Sequence, residues 1–318
     1  MASVIKTSSA SYEIDASMVP GFLKWIEHCN NGEAALVTGE FLPFQIDNQT
    51  VGYIGQNFIQ HLQSFPNVFH LTPTSILLHP SLQTADIITR STAVGVALSS
   101  LKEAGIITGW RNELYPVLKS FYDPPVLLLE RAAAPFFGIK AYGVHMNGYI
   151  KRKADGEILL WVARRSATKL WPLKLDHIVA GGQPHGLSLA ENVVKECQEE
   201  AGISAEVART AVSVGAVSYT SIKGTGLGRD VLFCYDLELP EDFQPVPVDG
   251  EVHEFFLSPL SDVAKFISEG SPDKENQGAY KDNCNLVVLD FLIRHGVLTP
   301  DTPGYLDVVK GLRSGDCS

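Results

Sequence analysis

Apolar positions recur along this chain with two periods, and the switches between helical and alternating spacing divide it into elements. Residues 19–30 read as a helix, with Pro20 suited to its first turn, Trp25 facing inward and Asn30-Asn31-Gly32 as its stop. Residues 42–46 and 51–54 read as short strands around an Asp47-Asn48 turn, followed by a helix near 56–63 and a strand at 76–79. A longer helix spans 84–104, with Ala93, Val94, Ala97, Leu98 and Leu101 on one side and Gly105 at its end. Together these elements predict a small mixed α/β unit.

Near residues 131–135 an apolar run gives way to small residues and then to new strands, which predicts two domains, 1–134 and 135–318. In the second, 143–151 and 158–164 form a hairpin on an Asp155-Gly156 turn. A strand at 178–180 enters a glycine-rich loop, and one charged helix leaves it. Strands follow over 207–219 and 230–239, separated by a glycine-rich stretch at 224–228 that is either a flexible connection or simply a hairpin loop. An Asp249-Gly250 turn then precedes a strand at 251–257, and helices over 259–269 and 285–295 close the pattern.

The glycine-rich loop and its helix carry the chemistry. Ser188 with Glu191 three residues on is a capping box, so the helix begins near Leu189, and Gly202 is placed to end it. Leu189, Val193 and Cys197 make a buried stripe, while Glu196, Glu199 and Glu200 share one face. Three carboxylates this close repel one another unless a cation neutralises them, and only Lys195 stands nearby. Oxygen ligands on a rigid helix suit Mg²⁺ or Mn²⁺, hard ions that also accept phosphate oxygens. The expected chemistry is metal-assisted attack on a diphosphate.

Composition narrows the field of partners. A formal net charge of −11 argues against nucleic acid and for a small-molecule substrate. Five scattered cysteines form no CxxC pair, which predicts neither a disulfide framework nor a zinc site and points to a reducing compartment. The first twenty residues hold no apolar run long enough for a signal peptide, and Glu13 and Asp15 disfavour a transit peptide. No stretch of eighteen apolar residues occurs, so a cytoplasmic protein without a membrane span is expected. The oligomeric state stays open.

The stretch from Gly181 to Ile203 resembles the Nudix box, with Gly181 as its opening glycine, Glu196 as the first catalytic glutamate and Glu199-Glu200 as the acidic pair. Two positions depart: Lys195 stands where Arg is usual and Leu187 where a Glu is usual. Outside the box, Trp110-Arg111-Asn112-Glu113, Trp171-Pro172, Lys174-Leu175-Asp176, Pro184-His185-Gly186 and Asp249-Gly250-Glu251-Val252 look like the fungal and plant Nudix hydrolases related to thiamine pyrophosphokinase. In that subgroup Leu173 stands where relatives tend to have Gly. The resemblance implies an α/β/α Nudix sandwich with a mixed sheet, preceded by a small α/β domain that covers or extends the pocket. It also implies hydrolysis of thiamine diphosphate to the monophosphate, with preference for oxidised or damaged forms. Two other readings stay open: a broader diphosphatase acting on ADP-ribose or nucleotide sugars, and a non-catalytic Nudix-fold binding module.

Residue roles follow for that site. Glu196, Glu199 and Glu200 are the expected metal ligands, and Glu251 either orients or deprotonates water or is an exposed strand-end carboxylate. Lys174 and Arg164 are candidate phosphate partners, with Gly181 and Gly182 in the loop beside them. Trp171 either stacks on the aminopyrimidine or plugs the core, and Trp110 either contacts ligand or ties domains together. A pocket with apolar stacking and no anion near the thiazolium position favours an oxidised, neutral ring, which loses less to desolvation.

Overall fold

The computed structural model describes residues 12, 14–168, 170–272 and 279–317; of the first twenty residues, read above for targeting signals, 1–11 and 13 lie outside them. The chain begins with α1 (Val19–Cys29) and the short α2 (Glu33–Thr38). Strands β1 (Phe41–Ile46), β2 (Gln49–Gly55), β3 (Phe69–Leu71) and β4 (Ile76–Leu78) form one sheet in the order β2-β1-β4-β3. Around it lie α3 (Gln56–Leu62), α4 (Pro80–Gln83) and the long α5 (Ile87–Glu103), whose Val94, Ala97, Leu98 and Leu101 are buried. A two-stranded ribbon, β5 (Leu114–Val117) and β6 (Leu127–Glu130), and the short α6 (Ala134–Phe137) complete this unit. Its core gathers on Phe137, whose ring meets those of Phe44, Phe58 and Phe69.

A seven-stranded mixed sheet dominates the second unit. It contains β7 (Lys140–Lys151), β8 (Ile158–Arg165), β9 (Leu175–Asp176), β10 (Val179–Gly182), β11 (Val212–Lys223), β12 (Gly226–Glu238) and β13 (Val252–Pro259). The main path runs β11-β12-β7-β8-β13, with β10 on β7 and β9 on β8; β12 and β7 are parallel. One face takes α7 (Leu189–Ala201), which buries Val193, Cys197 and Ala201 against Val144, Met146 and Val179; the short α8 (Ala205–Ala208) follows it. The other face takes α9 (Leu260–Glu269), α10 (Asp282–Arg294) and α1, with α11 (Tyr305–Gly311) beside α1. This is an α/β/α sandwich on a mixed sheet, preceded by an α/β domain. Among the described residues no helix is long and apolar enough to cross a membrane.

Helix α1 packs across the chain-order division, against α9, α10 and α11. Phe22 and Trp25 are fully buried there, and Trp25 Nε1 donates to the Ile267 carbonyl at 2.9 Å. Each such apolar side chain contributes about 1.5–3 kcal/mol. One expected element differs. The strand expected from 207 begins only at Val212, because Ser204 caps α8 by accepting from the Val207 N–H. Of the two readings of 224–228, the hairpin loop holds: the β11–β12 ladder runs to Lys223 and resumes at Gly226. Leu227 is fully buried against Ala35 and Phe41, which fixes the second strand directly after the turn.

Candidate active site

Ladder pairing of β10 with β7 delivers Gly181 and Gly182 to the start of the loop that leads into α7. The capping box forms as its spacing predicts: the Glu191 N–H donates to Ser188 Oγ at 3.2 Å, and the Ser188 N–H donates to Glu191 Oε2 at 2.8 Å. Gly202 ends the helix with φ 64°. Gly181 is glycine for a steric reason, since a Cβ there would lie 2.2 Å from the Glu196 carboxyl carbon. The glycine thus makes room for a motif carboxylate.

The three motif glutamates meet different surroundings. Glu196 is largely buried, and burial raises its pKa against the opposing pull of Lys195, whose Nζ lies 3.0 Å away. Glu199 points outward and pairs with the same Lys195 at 2.9 Å. Glu200 is buried, accepts the Ala180 N–H at 2.8 Å, and is pushed by burial well above the ordinary carboxylate range. Its carboxylate groups with those of Asp249 and Glu251, one oxygen of each lying within 4.8 Å of the others. Glu251 is held by its own turn: its N–H donates to Asp249 Oδ1 at 2.8 Å, and its carbonyl accepts from the Ser166 N–H at 2.8 Å. Three hard oxygen donors from helix and loop fit Mg²⁺ or Mn²⁺ by ligand type. Asp249 was absent from the expected ligands, although its place two residues before Glu251 was a usable signal.

Strand alternation decides which arginine belongs here. Arg164 pairs with Glu254 at 2.8 Å, its partner in the β8–β13 register, and lies over the Phe256 ring. Arg165 points to the other face, where it pairs with Asp176 at 2.7 Å and approaches Glu251 at 3.7 Å. Burial works against the Asp176 charge, yet Lys281 and Arg165 together hold its carboxyl well below the usual range. Lys281 also lies within electrostatic reach of Glu200. Lys174, expected at a phosphate, stands over the Trp25 ring with Nζ 5.9 Å from its centre. Arg165 and Lys281 therefore lie within reach of the carboxylate cluster, whereas Arg164 pairs with Glu254 and Lys174 stands over Trp25.

The first unit reaches the loop directly. A Cβ on Gly182 would lie 2.0 Å from the Tyr115 hydroxyl and 3.3 Å from the Arg131 guanidinium carbon, so both groups pack onto that glycine. Arg131 is anchored by Glu113 at 2.7 Å and acts electrostatically on Glu196, and the His185 N–H donates to the Leu114 carbonyl at 3.0 Å. Trp110 sits further off, its Nε1 donating to Asn112 Oδ1 at 3.0 Å beneath the Lys102 ammonium. The tie between the units thus runs through Glu113, Tyr115 and Arg131.

Trp171 borders a separate hollow of about 260 Å³, lined also by His28, Tyr219, Lys223, Lys281, Asp282 and Asn283. The indole is partly exposed, and both Trp171 and Leu173 have φ 60°, a conformation that disfavours side chains of this kind. Asn283 donates to the Tyr219 hydroxyl at 3.0 Å, and Asp282 faces His28 at 3.2 Å. Lys281 lines this hollow and also acts on Asp176 and Glu200, which links it to the carboxylate cluster.

Similarity to known proteins accords with the geometry. A NUDIX domain model matches residues 145–277, and a model of a domain of unknown function (DUF4743) matches residues 21–141. The chain is 49% identical over 325 residues to "Nudix hydrolase 20, chloroplastic" of Arabidopsis thaliana, covering 99% of this chain and 83% of that protein. It is 47% identical over 312 residues to "Nudix hydrolase 24, chloroplastic" of the same plant, covering 96% of this chain and 80% of that protein. "Uncharacterized protein YJR142W" of Saccharomyces cerevisiae is 40% identical over 217 residues, 64% of this chain and 60% of that one.

Proposed function

The chain belongs to the Nudix hydrolase family, and on that premise we propose that its substrate is thiamine diphosphate, with oxidised forms such as oxo- and oxy-thiamine diphosphate preferred. Membership makes it a hydrolase of diphosphate bonds that uses a divalent metal ion. Water attacks one phosphorus of the substrate, the anhydride bond breaks, and the monophosphate and inorganic phosphate leave. Mg²⁺ or Mn²⁺ held by Glu200, Asp249 and Glu251, with Glu196 alongside, would neutralise phosphate charge and supply a water of lowered pKa. Glu251, fixed by the Asp249 turn, orients the attacking water, and Arg165 and Lys281 bind phosphate oxygens. The first unit, whose core runs past the expected boundary at 134 to Phe137, completes the phosphate end through Tyr115 and Arg131.

The observation that carries the substrate reading is the hollow between Trp171 and Tyr219. It offers aromatic faces for the pyrimidine, with Asn283 and Asp282 for its polar edge, and lies one residue, Lys281, from the carboxylates. Its lysines and its carboxylate are all partnered: Lys223 pairs with Asp230 at 2.6 Å, Lys281 is offset by Asp176, and Asp282 faces His28 at 3.2 Å. A cationic thiazolium thus finds its counter-charge already engaged, which favours an oxidised, neutral ring.

Kinetics with thiamine, oxo-thiamine and oxy-thiamine diphosphates beside ADP-ribose, at one Mg²⁺ concentration, test the reading. Higher kcat/KM for the oxidised forms is expected, with monophosphate and phosphate as products. ADP-ribose as the best substrate by far sinks the thiamine reading and leaves a broader diphosphatase. Absence of metal-dependent turnover on any diphosphate leaves a binding module. Trp171→Ala is expected to raise KM for the preferred substrate about five- to tenfold with kcat nearly unchanged, the loss of one stacking contact; an unchanged KM removes Trp171 from the pocket. The reducing compartment expected from free cysteines fits a cytoplasmic site of action, which fractionation of the tagged chain checks against the chloroplastic names of the plant relatives.

A further inference from the structure

His145 on β7, His177 just after β9 and Cys284 on α10 each bring one ligating atom within 4.8 Å of the other two, and all three residues are buried. They come from distant parts of the chain, so the cluster exists only when α10 is packed on the sheet. His145 Nδ1 and His177 Nε2 are buried without any hydrogen-bond partner. Leaving such groups unpaired costs about 1–3 kcal/mol each, which calls for an occupant. The two imidazole rings stand nearly perpendicular, at 82° with centres 5.0 Å apart, rather than stacked. A fourth donor is at hand, since Asp176 Oδ1 lies 2.9 Å from Cys284 Sγ.

We propose that His145, His177 and Cys284, with Asp176 as fourth ligand, hold a structural zinc ion distinct from the ion at Glu200, Asp249 and Glu251. The donor types separate the two sites: imidazole nitrogen and thiolate sulfur select zinc, whereas an all-carboxylate set selects a hard ion. A tetrahedral zinc with bonds of about 2.0 Å to nitrogen and 2.3 Å to sulfur needs ligand atoms about 3.5 Å apart, so closure of roughly an ångström suffices. On binding, the Cys284 thiol releases its proton to solvent and no electron moves. Arg165 and Lys281 flank Asp176, and their positive charge is offset by Glu251 beside Arg165 and by Glu200 within reach of Lys281. The ion would pin α10 to β7 and β9 next to the Arg165–Asp176 pair, whose arginine approaches Glu251. The cysteine spacing in sequence had argued against zinc, because the ligands are gathered from three elements rather than from a CxxC pair.

The test uses the full chain expressed with zinc and, separately, with cobalt, then washed in Mg²⁺ buffer. Elemental analysis is expected to give about one zinc per chain, and the cobalt protein a thiolate-to-cobalt charge-transfer band in the near ultraviolet. Cys284→Ser and His177→Gln are expected to lower zinc content at least about tenfold and to remove that band, while Glu200→Gln keeps both. Wild-type protein with less than about a tenth of a zinc per chain and no cobalt–thiolate band overturns the proposal. So does Cys284→Ser retaining full zinc. Should the substitutions not fold, the wild-type zinc count and cobalt spectrum decide alone.

Discussion

Replacing Glu200 by Gln is expected to lower kcat about 10²–10⁴-fold while raising the thermal stability of the metal-free protein. The two effects have one cause. Glu200 is buried, accepts a single backbone N–H from Ala180, and shares its space with Asp249 and Glu251, so without a cation its ionised form is disfavoured. Gln keeps the shape and the acceptor while removing the charge, so the fold tolerates it and metal binding does not. The pH sign follows from the raised folded pKa. The unfolded chain releases this proton near its ordinary 4.5, while the folded protein holds it to higher pH. Metal-free stability therefore falls as pH rises from about 4.5 through the folded value, and the advantage of Gln grows over the same window. Saturating Mg²⁺ reverses the order, for an ion present at a hundred times its Kd stabilises wild type by about 2.7 kcal/mol and the variant hardly at all. Thermal melts across pH, with and without Mg²⁺, check this. A Gln variant with wild-type turnover, or one that still gains stability from Mg²⁺, removes Glu200 from the metal site.

Local signals in the sequence located α7 almost to the residue. Ser188, Glu191 and Gly202 act through hydrogen bonds and backbone angles spanning a few positions, and each formed as its spacing implied. Contacts made over long separations were not legible in the same way. Asp176 and Cys284 are 108 residues apart yet within 2.9 Å, and nothing in the spacing of either announces the other. The same holds for Tyr115 and Arg131, which read as parts of a separate unit until docking set them on Gly182. The choice between Arg164 and Arg165 turns on a subtler point. Two adjacent arginines on a strand face opposite ways, and choosing between them required knowing which face of β8 meets Asp176, a fact that only the pairing of β9 supplies. At 224–228 glycine content left a flexible connection and a hairpin loop both open, and the burial of Leu227 against residues far away in sequence fixes the hairpin.

The second large effect is expected at Arg165. Its guanidinium pairs with buried Asp176 at 2.7 Å, approaches Glu251 at 3.7 Å, and donates from Nε to the Leu170 carbonyl at 2.9 Å, so one side chain joins the carboxylate cluster to the loop bearing Trp171. Arg165→Ala removes the direct ion pair of Asp176 and leaves Lys281, His177 and the Cys284 thiol to offset its burial, and breaking a buried pair in this way costs about 3–5 kcal/mol. For a chain of this size the melting temperature should drop by about 10 °C. Because the folded pKa of Asp176 is depressed, its contribution is present above the unfolded value of 3.8 and is lost as pH falls through the lower folded value. The difference in melting temperature between wild type and Arg165→Ala should thus be largest near neutrality and shrink below about pH 4. Activity, measured below the variant's melting range, should fall through KM as well as kcat, since the same arginine is assigned to a phosphate oxygen. Arg165→Lys separates charge from geometry: it should recover part of the stability but little of the activity, because an ammonium cannot contact Asp176, Glu251 and the Leu170 carbonyl with one planar fork. An Arg165→Ala protein that melts and titrates like wild type would falsify the network, and a variant with lost stability but normal KM would leave it structural only.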